Sequence, residues 1–207
     1  KMHKNPHYWN PELPYLDGLE MHHLPYGPAT AAALLTGQVD YAYGLGADTR
    51  ADVEKQPEKF TTATYGIPSA LGGYLNLTHK PLDDVRVRKA MNLAIDRDAI
   101  VKLLGGLAKP ALGQVDPSSP WFGKPTFVLK YAPDEARKLM REAGFSKSQP
   151  LKTKFVVASG GTGQMLSLPM NEAIQEMFKD IYIDLEFKVV ELEALYTAWR
   201  AGAKADM

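Results

Sequence analysis

The last third of the chain alternates between strand-like and helix-like segments, and this order limits the folds open to it. Residues 153–157 and 183–190 have the apolar, β-branched composition of strands. Residues 168–179 and 194–200 have the composition of helices, and a glycine-rich loop joins the first strand to the first helix. Strands that alternate with helices are typical of an α/β layer structure, which is the fold class that we predict.

Further elements are predicted in the first two thirds of the chain. Glycines at 37, 105–106 and 144 are expected to end helices, and Asp96 is expected to cap one. Residues 108–128 are rich in proline and show no clear period, which predicts a long irregular segment. The predicted helices are 29–35, 49–55, 84–95, 97–104 and 132–143, and the predicted strands are 19–24, 39–43, 60–65 and 74–78.

Charge and composition exclude several function classes. Lys and Arg together number 24, as do Asp and Glu, so the balance gives no reason to expect nucleic acid or an anionic membrane as a partner. The absence of cysteine excludes disulfides, thiol nucleophiles and cysteine-ligated zinc. No apolar run approaches the roughly 18 residues of a membrane span, and residues 1–207 contain no signal-peptide pattern.

The sequence shows no pattern that requires catalysis or metal binding. There is no G-x-S-x-G motif, and Ser69 and Ser159 have no partner signature nearby. The Asp83-Asp84 pair is explained more simply as helix-capping charge. Histidines 22 and 23 would point to opposite faces of a strand and so could not chelate one metal together. We therefore predict no catalytic residue, no metal site and no cofactor.

The glycine-rich loop, residues 159–164, lies where a phosphate-binding loop would lie, between a strand and a helix. No lysine follows it, and its glycines do not have the G-x-G-x-x-G spacing, so nucleotide binding is not predicted. Two interpretations remain open. The loop is either a plain flexible connection or one wall of a solute cleft.

Tyrosines lie near several predicted strand ends and turns. They are Tyr41, Tyr43, Tyr65 and Tyr74, with Asn76 close to the last of them. A tyrosine offers a flat apolar face and a hydroxyl, which suits a cleft that grips varied solutes. Half-buried packing is the commoner explanation for any one of them. The predicted strand ends at 44–47 and 69–73 carry more weight together, because clefts in α/β sheets open at such ends.

Five phrases along the chain resemble, in order, the family 5 extracellular solute-binding proteins, which serve importers of dipeptides, oligopeptides and nickel. They are Asn5-Pro6-His7-Tyr8-Trp9, LPYLDG at 13–18, LTGQVD at 35–40, KPLDDVRVRKA at 80–90 running into AIDR at 94–97, and 131–144. The resemblance implies a periplasmic-binding-protein type II-like fold that is present only in part. Residues 1–80 would be part of the first lobe, and 81–207 would be the N-terminal half of the second.

The same resemblance implies a function. It describes the solute-binding component of an ABC importer, which captures a peptide-like small solute between two lobes and delivers it to ABC permease subunits. A monomer in the periplasm or outside the cell is implied. A nickel or metal-chelate binding protein on the same scaffold is the alternative, and an α/β hydrolase-like enzyme is a second. Family members are near twice this length, so we expect an internal part of a longer protein that has further ligand anchors.

The predicted ligand-binding residues are Tyr43, Gly44, Leu45, Ser69, Tyr74, Asn76, Gly161, Thr162 and Gln164. Dipeptide-binding relatives place a basic residue near the glycine-rich loop, where it pairs with the peptide carboxylate. Here residues 158–170 contain no Lys, Arg or His, so backbone amides would have to receive an anionic group. This departure weakens the case for a free dipeptide as the ligand.

Overall fold

The computed structural model describes residues 1–24, 27–66, 72–160 and 166–202. The strands of this part are β1 (Met2–His3), β2 (Gly18–Leu19), β3 (Leu151–Ala158) and β4 (Ile183–Val190). Its helices are α1 (Pro28–Leu35), α2 (Ala47–Glu54), α3 (Val85–Ala94), α4 (Arg97–Leu103), α5 (Pro133–Glu142), α6 (Ser167–Lys179) and α7 (Leu192–Arg200).

The last third forms a β–α–β unit followed by one more helix. Strands β3 and β4 are parallel, in a register that runs from Leu151 opposite Ile183 to Ala158 opposite Val190. Helix α6 connects the two strands and contacts both of them. Parallel strands need such a crossover, because the chain must return to the starting end of the first strand before the second strand can begin. The α/β class that we predicted from the alternation is confirmed.

The main core lies between one face of the β3–β4 pair and helices α3, α5 and α6. Leu93 of α3 and Met140 of α5 are fully buried in it. On the opposite face the side chains of 152, 154, 184, 186 and 188 are charged and exposed, and Lys154 Nζ lies 3.7 Å from Glu186 Oε1 across the pair. The buried members of this core are Val87, Ala90, Met91, Leu93, Ala94, Ala136, Met140, Leu151, Phe178, Ile181, Ile183 and Leu185.

The start of α3 is attached to the end of α5 through one arginine. Asp84 is the N-cap, and its Oδ1 accepts a hydrogen bond from the Arg86 backbone N–H at 2.8 Å. The Arg86 guanidinium pairs with the same carboxylate at 2.6 Å and also donates to the Glu142 carbonyl at 2.7 Å. Arg88 donates to the carbonyls of residues 82 and 83. Arg86 therefore pairs with the capping aspartate and binds the end of α5, whereas Arg88 caps two carbonyls that precede the helix.

The Asp84 cap predicts a pH-dependent contribution to stability. Hydrogen bonds from the Arg86 side chain and backbone N–H hold the pKa of the Asp84 carboxyl below its usual value. A lowered folded-state pKa stabilises the fold above the unfolded pKa, and this stabilisation is lost as pH falls through the folded pKa. We expect Asp84→Ala to lower the free energy of unfolding by about 1 kcal/mol at neutral pH, as measured by urea denaturation.

The difference between wild type and Asp84→Ala should shrink below about pH 4, where the carboxyl of the unfolded chain becomes protonated. Asp83→Ala is the matched control, since Asp83 contributes its backbone carbonyl rather than its side chain to the contacts described here. A difference that stays constant from pH 7 to pH 2 would contradict the assignment.

The predicted helix ends are confirmed, and so is the irregular segment. Gly37, Gly105, Gly106 and Gly144 all have positive φ, the backbone region in which glycine commonly ends helices. Asp96 caps α4 by accepting a hydrogen bond from the Ala99 N–H at 2.9 Å. No helix or strand lies between α4 and α5, a stretch that is described throughout. No helix among the described residues combines the length and hydropathy needed to cross a membrane.

The four strand predictions in the first 80 residues are wrong. Of 19–24 only Leu19 belongs to a strand, and 39–43, 60–65 and 74–78 form no ladder within the described chain. A strand exists only when a neighbour receives its backbone hydrogen bonds, and local composition cannot supply that neighbour. Side chains hold one of these segments to α2 instead. Thr62 donates to the Glu54 carboxylate, and the Arg50 guanidinium donates to the Thr64 hydroxyl, both at 2.7 Å.

Candidate functional site

The segment that leads into α3 passes directly beside β3. Gly73 lies so close to the Phe155 ring that an added Cβ would be 2.9 Å from Phe155 Cζ. Leu75 packs against the main core. Between these two positions, the Tyr74 ring lies against the Trp199 ring of α7, with centroids 5.5 Å apart and planes tilted by 36°. Tyr74 is 79% exposed and Trp199 is 55% exposed, so the pair presents aromatic surface on the outside of the described chain.

Asn76 takes part in a local turn. Its Oδ1 accepts hydrogen bonds from the Thr78 backbone N–H at 3.1 Å and from the Thr78 hydroxyl at 2.7 Å. This arrangement is the side-chain turn that asparagine commonly makes two residues ahead of its partner. It gives the carboxamide oxygen a structural role before the chain reaches Lys80 and Pro81. Ligand binding by Asn76 stays a prediction.

The two ends of the glycine-rich loop are fixed at the carboxyl ends of the parallel strands. The Ser159 N–H donates to the Val190 carbonyl at 2.8 Å, and the Ser159 hydroxyl donates to Glu191 Oε1 at 3.1 Å. On the other side, the Ser167 hydroxyl donates to the Ala158 carbonyl at 2.8 Å. The described residues on both sides of the loop therefore lie at the carboxyl ends of β3 and β4. The predicted residues Gly161, Thr162 and Gln164 lie outside the described residues, as does Ser69.

The predicted residues 43–45 lie just before α2, on a different element from Tyr74. Tyr43 is 56% exposed, and Leu45 is half-buried. Gly44 is buried with φ 82°, a conformation that favours glycine for a structural reason independent of any ligand. The Gly46 carbonyl accepts from the Arg50 N–H at 2.8 Å and so begins the helix. The structure thus divides the predicted residues that it describes. Those at 43–45 precede α2, whereas Tyr74 lies in a set of contacts with β3 and α7, here called the β3–α7 group.

Two residues of the β3–α7 group were missed from the sequence. Trp199 and Phe155 contact Tyr74 and Gly73, respectively, yet both lie far from them along the chain. The apolar spacing of Leu192, Leu195 and Trp199 predicts one apolar face of a helix. That signal would have identified Trp199 as a contact residue of α7, but not its partner.

The surface has two shallow depressions. One is lined by Lys80, Pro81, Asp83 and Asp84, and the other by residues 34–37, 39 and 40 with Lys59 and Phe60. His22 Nε2 lies 3.7 Å from Glu20 Oε1, and both side chains are exposed. Within the described ranges, no group of three or more histidine, aspartate or glutamate side chains is arranged to hold a metal ion.

Comparison with known proteins places this fold among the bacterial extracellular solute-binding proteins. The profile "Bacterial extracellular solute-binding proteins, family 5 Middle" matches residues 1–207, and the chain belongs to that family. The resemblance found in the sequence is thereby confirmed. The periplasmic-binding-protein type II-like fold, present in part, is confirmed as well.

Three relatives illustrate the likeness. The glutathione-binding protein GsiB of Escherichia coli O1:K1 is 36% identical over an alignment of 155 residues, and the match covers 70% of this chain and 28% of the relative. The periplasmic binding protein DppA from Helicobacter pylori, solved with the peptide STSA, has a TM-score of 0.74 at 25% identity and covers 95% of this chain and 37% of its own. NikA from Brucella suis, solved with Fe(III)-EDTA, has a TM-score of 0.66 at 26% identity, with coverage of 84% and 37%. The chain therefore spans well under half the length of each relative.

Proposed function

We propose that residues 1–207 form part of the solute-binding component of an ABC importer, which captures a peptide-like solute and delivers it to permease subunits. The observation that carries the proposal is the family match over the whole chain. Two relatives support the solute class. One is named for glutathione, itself a small peptide, and the other was solved with the peptide STSA. The cell envelope as location and a monomeric state belong to the same proposal.

The proposed division into lobes follows the packing. The main core is built from residues of α3 onward, together with Leu75 and Leu82, whereas α1 and α2 pack on each other. This supports a boundary near residue 80, with part of a first lobe before it and the N-terminal half of a second lobe after it. The parts also touch, because Gly105 at the end of α4 lies against Ala47 of α2.

The proposed mechanism is hinge closure without covalent chemistry. A solute that contacts both lobes stabilises the closed state by its differential affinity for that state. Tyr43, Gly44 and Leu45 would contribute from the first lobe, and Tyr74 and Asn76 from the junction. Ser69 and the glycine-rich loop residues Gly161, Thr162 and Gln164 complete the proposed set. No catalytic residue, metal or cofactor takes part in this proposal.

A thermal-shift screen of the full-length protein tests the function. The panel contains di- to tetrapeptides, including glutathione and STSA, nickel–histidine complexes, sugars and opines. We expect a peptide to raise the melting temperature, since a ligand at a hundredfold its Kd stabilises by about 2.7 kcal/mol. A rise with a nickel complex alone would favour the metal-chelate alternative, and turnover of a generic ester would favour an enzyme.

A further inference from the structure

A sulfur atom binds one backbone N–H at the corner between α3 and α4, residues 95–97. The Asp96 N–H donates to Met177 Sδ of α6, with nitrogen and sulfur 3.3 Å apart. The contact is partly buried, and within the described chain this N–H has no carbonyl acceptor. A buried N–H without an acceptor costs free energy. The Met177 thioether therefore has a structural role that few methionine side chains have.

This hydrogen bond is what ties the corner to α6. The other hydrogen bonds that the described chain gives to residues 95–97 join them to α3, to α4 or to each other. The Arg97 guanidinium, for example, donates to the carbonyls of Asn92 and Ile95. Losing the sulfur contact would leave the corner intact but would free it from the helix beneath it.

Met177 also belongs to a small apolar cluster that packs α4 against α6. The buried members of this cluster are Ile100, Leu104 and Met170, and the partly buried ones are Ala108, Ala173, Ile174 and Met177. Its four members on α6 have the spacing of one helix face. A polar atom added to Met177 would therefore enter apolar surroundings.

Oxidation adds such an atom to a thioether. A two-electron oxidant such as hydrogen peroxide converts methionine to its sulfoxide. A sulfur lone pair attacks one peroxide oxygen, so that an S–O bond forms while the O–O bond breaks. The hydrogen on the transferred oxygen passes to the leaving hydroxide to give water, and the peroxide takes up the two electrons that sulfur loses. The 3.3 Å between sulfur and nitrogen leaves no room for the new oxygen on the side of Asp96.

We propose that Met177 is a site of reversible oxidation, at which sulfoxide formation weakens the attachment of the α3–α4 corner to α6. Methionine sulfoxide reductases reverse the change, with one enzyme for each sulfoxide epimer. The inference goes beyond the proposed function and does not depend on it. The affected helix lies at the contact between two parts of the chain, because Gly105 at its end lies against Ala47 of α2.

The test exposes the full-length protein to hydrogen peroxide. Peptide mass spectrometry locates the added oxygen, and thermal unfolding measures its effect. Met177→Leu removes the sulfur but keeps an apolar side chain of similar size, a swap that cores tolerate well. Met21→Leu is the matched control, because Met21 is 73% exposed and belongs to neither apolar cluster.

We expect oxidation to lower the melting temperature of the wild type and of Met21→Leu by about 3 °C, the size expected when one hydrogen bond is lost. A mixture of the two reductases should restore it, and Met177→Leu should change little on oxidation. Amide exchange at Asp96 should be faster in the oxidised wild type and in untreated Met177→Leu, since neither keeps the acceptor.

Three results would overturn the inference. One is an equal fall in melting temperature for Met177→Leu. Another is a wild type in which Met177 gains no oxygen although Met21 is fully oxidised. The third is a fully oxidised Met177 that leaves both the melting temperature and the exchange at Asp96 unchanged.

Discussion

Replacing Leu93 by alanine is expected to lower the free energy of unfolding by about 3 kcal/mol. Leu93 is fully buried in α3, within the core that joins this helix to α5 and the β3–β4 pair. Truncation removes buried methyl groups and leaves a cavity that close-packed neighbours refill only in part. Urea denaturation followed by circular dichroism measures the loss.

Leu103→Ala is the matched control for that change. Leu103 ends the neighbouring helix α4 and is 42% exposed, so its truncation should cost well under half as much. Equal losses for the two variants would mean that the core does not lie where the structure places it.

Replacing Gly105 by alanine is expected to cost about 3 kcal/mol, and the same change at Gly106 only about 1 kcal/mol. Both glycines have positive φ, at 64° and 75°, so both substitutions incur the strain of a left-handed backbone. At Gly105 the new Cβ would also collide with the Ala47 Cβ of α2, whereas at Gly106 no atom lies within 4 Å. The difference between the two variants therefore measures the steric overlap of the new Cβ with α2, and so tests how closely the residues after α4 approach that helix.

A double mutant separates that contact from backbone strain. Removing the Ala47 Cβ in the variant Ala47→Gly/Gly105→Ala should restore the part of the loss that is due to the collision. The measurement is a double-mutant cycle of unfolding free energies. Equal costs at both glycines, without recovery in the double mutant, would show that the two parts of the chain do not pack as described.

The helices were predictable because their signals are local. The start of α4 follows from Asp96, whose carboxylate accepts from a backbone N–H of the first turn. Its end follows from the glycine pair that succeeds it. The predicted range 97–104 differs from the observed helix by one residue, because the information lies within a few residues of each boundary.

The strand predictions that proved wrong show that local signals are not enough for a β-strand. Residues 39–43 and 60–65 have strand-like composition, but a strand also needs a partner, and the described chain supplies none. Pairing is decided by residues far away in sequence. The predictions of β3 and β4 were correct because each of these strands supplies the other's backbone hydrogen bonds. Alternation of polarity alone could not separate these cases.

The candidate site was predictable only in part for the same reason. The sequence singles out Tyr74 by its residue type and its place near a turn. It does not reveal that Trp199 meets the Tyr74 ring, because that contact joins two distant elements. Nor does it show that the Asn76 side chain is engaged in a turn with Thr78.

Small-angle X-ray scattering of the full-length protein tests the central claim most directly. The radius of gyration is measured without ligand and with a saturating amount of the peptide that gives the largest thermal shift. Capture between two lobes predicts that the peptide reduces the radius of gyration, because contacts with both lobes favour the closed state. An unchanged radius of gyration with bound peptide would contradict closure of two lobes around the solute.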